Sequence, residues 1–180
     1  MLGTSTFKVE IAEKEFTCTR SFDASRELVY KAWTEPRLLA KWWGPHNVTN
    51  PVCKIDLRPG GVFRIVTESG DGEKYPLNGS YVEIAPNEKL IMTLDMSEHP
   101  QDWQETLNMH RRQVGGTDGG PLRDLLTVKF EKEGKESKIE CHSHFVSNID
   151  RDAIVAMGMA DGWSQSFERL ETLLESMPRR

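Results

Sequence analysis

Cysteine is scarce in this sequence: Cys18, Cys53 and Cys141 are three thiols in 180 residues, far apart and without a Cys-x-x-Cys pair. That spacing excludes a disulfide framework and suits a reducing compartment. Long uncharged apolar runs are missing too. Lys8, Glu10, Glu13, Lys14 and Glu15 crowd the N-terminal stretch, which leaves no room for the hydrophobic segment of a signal peptide. Nothing later approaches the ~20 apolar residues of a membrane helix. The expectation is a soluble, cytoplasmic protein with no membrane insertion. Nor is there a surplus of positive charge, since 23 Lys plus Arg stand against 28 Asp plus Glu, for a formal net charge of −5. Apart from Arg111-Arg112 and Arg179-Arg180 the cations are scattered, so no concentrated face neutralises phosphates and nucleic acid is not an expected partner.

Signatures of catalysis are equally thin. No serine or cysteine sits in a recognisable nucleophile context. The glycine-rich run from Gly115 to Pro121 has no following Lys-Ser/Thr, so it reads as flexible chain and not as a phosphate cradle. No cofactor is expected. His142 and His144 are the only close histidine pair and share one side of a strand with Glu140. Metal ligation would need that side to be enclosed. The alternation assigns Ile139, Cys141 and Phe145 to the core, so the histidines face solvent and no metal site is expected. His46, His99 and His110 read as surface histidines. Arg58 would suit a carboxylate clamp, but a surface hairpin arginine is the plainer reading.

What the chain does have is tryptophan in a tight group. Trp33, Trp42 and Trp43, three of the five, fall between Ala32 and Gly44, among the sharp reversals set by Glu35-Pro36 and Gly44-Pro45. Phe16 to Phe22 alternates as a strand. Asp23 offers a helix N-cap ahead of Leu28, Val29, Ala32 and Trp33 at helical spacing, and Pro36 opens a second short helix through Leu38, Leu39 and Trp42. From residue 48 to 96 the period falls to two. The breaks at Pro59-Gly60, Asp71-Gly72 and Pro86-Asn87 predict an antiparallel meander. Residues 97–122 interrupt it with a short helix around Trp103 to Met109, and read equally as an ordered flap or a disordered insert. Strands resume at Leu125–Glu131 and Lys138–Val146, joined by a charged tip. From Asp150 onward Ala156, Met159, Trp163, Phe167, Leu170, Leu174 and Met177 draw one apolar stripe through seven turns, which predicts a single long helix. Such a helix needs a broad surface, and the inner face of the meander supplies it. The predicted fold class is α+β: a curved antiparallel sheet around a long C-terminal helix, with two short N-terminal helices closing one end, in one domain over 1–180.

Several segments resemble the helix-grip SRPBCC superfamily (the START and birch-pollen-allergen fold), in the branch similar to the C-terminal domain of the activator of the heat-shock protein 90 ATPase. They are Arg20 to Val29, Ala32-Trp-Thr-Glu-Pro, Trp42-Trp-Gly-Pro, Asp56-Leu-Arg-Pro-Gly-Gly, Gly79-Ser-Tyr-Val-Glu-Ile-Ala-Pro, and Gly162-Trp163 followed by Leu170. The set runs from residue 16 to 177 in the family's order. The resemblance implies an elongated cavity between sheet and long helix, able to hold a small apolar molecule, and a chaperone as a second expected partner. A sheet that begins at residue 16 leaves no room for the additional N-terminal domain of those activators, which weakens ATPase activation as an expectation.

The residues themselves grade the helix. Met157, Gly158, Met159, Ala160 and Gly162 are small or flexible, whereas Trp163, Phe167 and Leu170 are bulky. Any pocket is therefore expected toward the N-terminal half, although close packing explains the same pattern. Trp42 and Trp43 are adjacent and cannot face one way, so one belongs to the core and the other to the cavity mouth or surface. The candidate ligand contacts are Trp42, Trp43, Phe63, Tyr81, Met92, Met159 and Trp163. A cyclase- or hydrolase-type activity would need a polar group in the cavity, for which Tyr81, Arg64 and His46 are the candidates.

Overall fold

The computed structural model describes residues 6–179. Its elements run β1 (Lys8–Ala12), β2 (Glu15–Phe22), α1 (Arg26–Thr34), α2 (Pro36–Trp42), β3 (Thr49–Ile55), β4 (Val62–Glu68), β5 (Lys74–Ala85), β6 (Lys89–Asp95), α3 (Gln101–Gln113), β7 (Arg123–Glu133), β8 (Glu136–Phe145), α4 (Asn148–Ala156) and α5 (Met159–Ser176). All eight strands join one antiparallel sheet in the order β1-β2-β8-β7-β6-β5-β4-β3, with the helices on its inner face. This is the expected α+β helix-grip architecture. Strict alternation builds the inner face: Phe16, Cys18 and Phe22 from β2, Leu126, Val128 and Phe130 from β7, and Ile139, Cys141 and Phe145 from β8 are all buried. Among the described residues no helix is long and apolar enough to cross a membrane.

The turns follow from residue chemistry. Gly60 and Gly72 take positive φ of 78° and 86°, and Asn87 takes 63°, at the three predicted reversals of the meander. Pro36 opens α2, and the Glu35 N–H ends α1 by bonding the Lys31 carbonyl. The cap of α1 is Ser25 and not Asp23: the Ser25 hydroxyl accepts from the Leu28 N–H at 3.2 Å, two residues on from where Asp23 would reach. Ser147 caps α4, its hydroxyl accepting from the Asp150 N–H at 3.1 Å, so the helix begins at Asn148, two residues before Asp150.

Three further differences from the sequence reading have clear causes. β1 is an added edge strand, unpredicted because all five of its residues are exposed and it has no buried face to impose a pattern. Residues 101–113 form an ordered helix, held by the buried Arg111 guanidinium. That group donates to Asp150 of α4 at 2.8 Å and to the Asn108 carbonyl oxygen at 2.9 Å, and the latter also accepts from the Gly119 N–H. The single long C-terminal helix is two. Gly158 adopts the left-handed conformation, φ 95° and ψ 28°, between α4 and α5. Its N–H still bonds the Val155 carbonyl at 3.0 Å and its own carbonyl accepts from the Gly162 N–H, so Gly158 keeps both of its backbone bonds through the turn. The break leaves Ala156 exposed, off the stripe to which its spacing assigned it.

Polar clamps set the closed end. Arg169 of α5 reaches the C-terminus of α2, where its guanidinium donates to the carbonyls of Lys41, Trp43, Gly44, Pro45 and Val48 at 3.0–3.3 Å. Asn50 donates to the Ala40 and Trp43 carbonyls at 3.0 and 2.8 Å and accepts from the Thr67 hydroxyl, fixing the same loop to β3 and β4. These bonds satisfy helix-end carbonyls that have no partner within the helix.

Candidate functional site

The aromatic cluster divides the interior in two. Trp33 packs on Trp42 at 4.8 Å and on Phe130 at 6.1 Å between ring centroids, and Trp42 donates its indole N–H to the Ala32 carbonyl at 3.0 Å. With Tyr30, Phe63, Tyr81 and Met92 they make one end of the sheet a dry core, each under a tenth exposed. Over the other end the helices stand away from the strands and leave a cavity of about 520 Å³. Its floor comes from Tyr75, Leu77 and Leu94 with Asp124, Ser143 and Phe145. Its roof comes from Ile154, Met157, Met159, Trp163 and Ser166. His99 and Trp103 form a side wall, and Trp43, Gly44 and Pro45 lie where α2 ends.

Trp43, Met159 and Trp163 thus line the cavity, and Trp43 meets Trp163 edge-on at 5.7 Å. Trp42, Phe63, Tyr81 and Met92 do not line it. Phe63, Tyr81 and Met92 face inward but at the filled end of their strands, since Tyr75 and Leu77 border the cavity six and four residues before Tyr81 and Leu94 two residues after Met92, and Trp42, at the end of α2, packs into the same dry core. Phe63 is held there by Gly79, where an added Cβ would lie 2.4 Å from the Phe63 ring. The three acid–base candidates are also elsewhere. Tyr81 is in the dry core, and Arg64 is bound to Asn78 at 2.6 Å and to Glu98. His46 is exposed and bonded to Glu168 at 2.6 Å.

His142 and His144 flank Glu15 at 3.0 and 3.6 Å on the outer face of the sheet, the His142 hydrogen bond being the main influence holding that carboxyl below its ordinary value. Among the described residues no cluster of metal-ligating side chains occurs. Arg58 pairs with Asp56 at 2.8 Å in its exposed hairpin. His99, expected at the surface, is instead in the cavity wall. Its Nδ1 donates to the Pro76 carbonyl at 3.0 Å, and its ring packs on Trp103 at 4.5 Å and Tyr75 at 5.6 Å. Burial lowers its pKa, so the ring is neutral at physiological pH.

The residue absent from the sequence reading is Asp124. It opens β7 with its side chain on the inner face, in alternation with Leu126, Val128 and Phe130, and is 7% exposed. One residue separated it from view: starting the strand at Leu125 hides the acid, whereas extending the same alternation backward places it inward. The Ser143 hydroxyl hydrogen-bonds the carboxyl, yet burial outweighs that bond and pushes the pKa up to about 7. Its Oδ1 is buried with no hydrogen-bond partner. The neighbouring Arg123 points to the outer face, where it binds Asp95 at 2.7 Å, so its charge serves a different carboxylate.

The family model described as "Activator of Hsp90 ATPase homolog 1-like protein" matches residues 23–175. The chain belongs to that family. The match takes in every wall of the cavity and omits β1, β2 and the C-terminal residues. No curated protein matches the chain. Solved structures similar to this Activator of Hsp90 ATPase homolog 1-like chain include a Nitrosomonas europaea protein with 24% identity and TM-score 0.74, covering 93% of this chain and 97% of that one. A Rhodobacter sphaeroides protein has 18% identity and TM-score 0.78, covering 96% and 100%. An AHSA1 protein from Silicibacter pomeroyi has 18% identity and TM-score 0.62, covering 90% and 98%. At these identities the likeness is one of fold.

Proposed function

We propose that this Activator of Hsp90 ATPase homolog 1-like protein binds a small, mainly apolar molecule between the sheet and the α4–α5 roof. The observation that carries the reading is the cavity of about 520 Å³ under Met157, Met159 and Trp163. Small-molecule sites fall in the range of roughly 300–1,000 Å³, with apolar walls and few polar groups. Methionine side chains adapt to irregular ligands, and the flanking tryptophans supply broad contact area. Of the seven candidate contacts, Trp43, Met159 and Trp163 are retained for this role. Native mass spectrometry of gently purified protein, followed by solvent extraction, is expected to reveal a bound organic molecule or, after stripping, uptake of an added apolar one. A protein that neither carries nor takes up such a molecule would sink the reading. The three free thiols suit the reducing cytoplasm as its place of action.

The family's description brings a second reading, contact with the Hsp90 chaperone. Its test is separate, because a pull-down with the chaperone at micromolar concentration either yields a complex or retires it. None of the three candidates for an acid–base role lines the cavity, so the enzymatic alternative has lost its named residues.

A further inference from the structure

We infer that the cavity selects lipophilic organic cations, an apolar body carrying a protonated amine whose N–H groups meet the Asp124 carboxylate. This rests on the ligand-binding reading and adds the chemical class of the ligand. Three observations converge on it.

First, one oxygen of the carboxyl is left unsatisfied. Asp124 Oδ1 is buried without a partner, although buried carboxylate oxygens are otherwise bonded. The serine and threonine hydroxyls in the wall are engaged: Ser166 donates to the Gly162 carbonyl at 2.9 Å, Thr67 to Asn50 at 2.8 Å, Ser69 to the Asp71 carboxylate, and Ser143 is bonded to Asp124 itself. Folding has already stripped water from that oxygen, so a ligand cation arriving there offsets a desolvation cost instead of adding a second one.

Second, the charge pattern has one sign. Among the described residues that line the cavity there is no Lys or Arg, and Asp124 is the single carboxylate. The nearest cations are committed elsewhere, Arg123 to Asp95, Arg111 to Asp150 and Arg169 to five backbone carbonyls. A fatty acid or other organic anion would find no counter-charge and one repulsive carboxylate. Third, the walls are aromatic. Trp43, Tyr75, Trp103, Phe145 and Trp163 all border the space, and the negative faces of such rings attract ammonium groups within about 6 Å of a centroid. A neutral hydroxyl ligand gains little from those faces.

The pH dependence follows from the groups present. With an Asp124 pKa of about 7, the unliganded carboxyl is half protonated at neutral pH. The other titratable groups facing the cavity are His99, whose pKa is lowered by burial, and Tyr75, whose pKa is raised by burial and by nearby carboxylates. Both are neutral in the working range, and protonation of His99 in acid opposes a cation in the same direction as loss of the Asp124 charge.

The test compares decylamine, decanol and decanoate, matched in chain and different in headgroup, by calorimetry or tryptophan quenching on stripped protein. At pH 8, decylamine is expected to bind at least about tenfold more tightly than decanol, with decanoate weakest. Below the Asp124 value of about 7 its affinity falls by about tenfold per pH unit while that of decanol stays level. Asp124→Asn removes the difference between amine and alcohol but keeps alcohol binding. Should that variant fail to fold by circular dichroism, the wild-type pH profile decides alone. Decanol or decanoate binding as tightly as decylamine at pH 8, a flat pH profile for the amine, or an amine preference that survives in Asp124→Asn overturns the inference and leaves the apolar-ligand reading standing. No binding of any of the three overturns both.

Discussion

Asp124 costs the unliganded protein stability above neutral pH. Its folded pKa of about 7 lies above the ordinary aspartate value of 3.8, so the folded state holds the proton more tightly than the unfolded chain. The stability attached to that proton is fully present below about pH 4 and is lost as pH rises through about 7. The loss is up to about 4 kcal/mol for a shift of roughly three units. Asp124→Asn is therefore expected to be more stable than the wild type in urea at pH 8, with the gap closing toward pH 4. Equal stability of the two proteins at pH 8 would contradict this account. At this scale the sequence was half legible. Phe63, Tyr81 and Met92, named as ligand contacts, do lie on the inner face, and alternation reports which side a residue faces. Alternation carries no information on which end of a strand the helices cover, and that is what separates these three from Leu77, Leu94 and Asp124. His99 was illegible for a related reason, since its position depends on α3 folding back over the sheet.

Among the elements, the α2–β3 connection depends on one side chain from the far end of the sequence. Arg169 serves five carbonyls with a planar fork of donors that an ammonium cannot reproduce. Arg169→Lys is expected to destabilise the protein by about 2 kcal/mol in chemical denaturation, as several buried carbonyls lose partners. A change within error would mean that solvent or local rearrangement satisfies them. The elements themselves were the most legible level, because strand periodicity, Pro36 and the turn glycines act locally. The failures occur where local rules are silent. β1 owes its existence to the edge of β2, not to its own pattern. The apolar stripe keeps its phase across Gly158, so spacing alone could not reveal that the backbone reverses its handedness for one residue there.

Across the whole molecule, the latch between Arg111 and Asp150 joins the wall carrying Trp103 to the part of the roof carrying Ile154 and Met157. Arg111→Met strands a largely buried carboxylate and is expected to cost about 3 kcal/mol, most of which the Arg111→Met/Asp150→Leu double variant recovers. In the single variant, amide exchange should accelerate in α3 and α4 while β7 and β8 stay protected. Uniform acceleration throughout would show that the latch supports the entire fold and not one wall. The curved sheet and its helical cover were foreseeable because a one-sided apolar sheet has few ways to hide that side; the cavity's exact seat was not, since it depends on where α4 stops. That stop at Gly158 has a mechanical meaning. A single helix would behave as a beam, passing any displacement at its cavity end to the packed tryptophans at the other. Two helices meeting at a glycine behave as two panels on separate frames, α4 bolted to α3 through Arg111 and α5 to α2 through Arg169, so the α4 part of the roof can be adjusted without loosening α5, which also keeps the core closed.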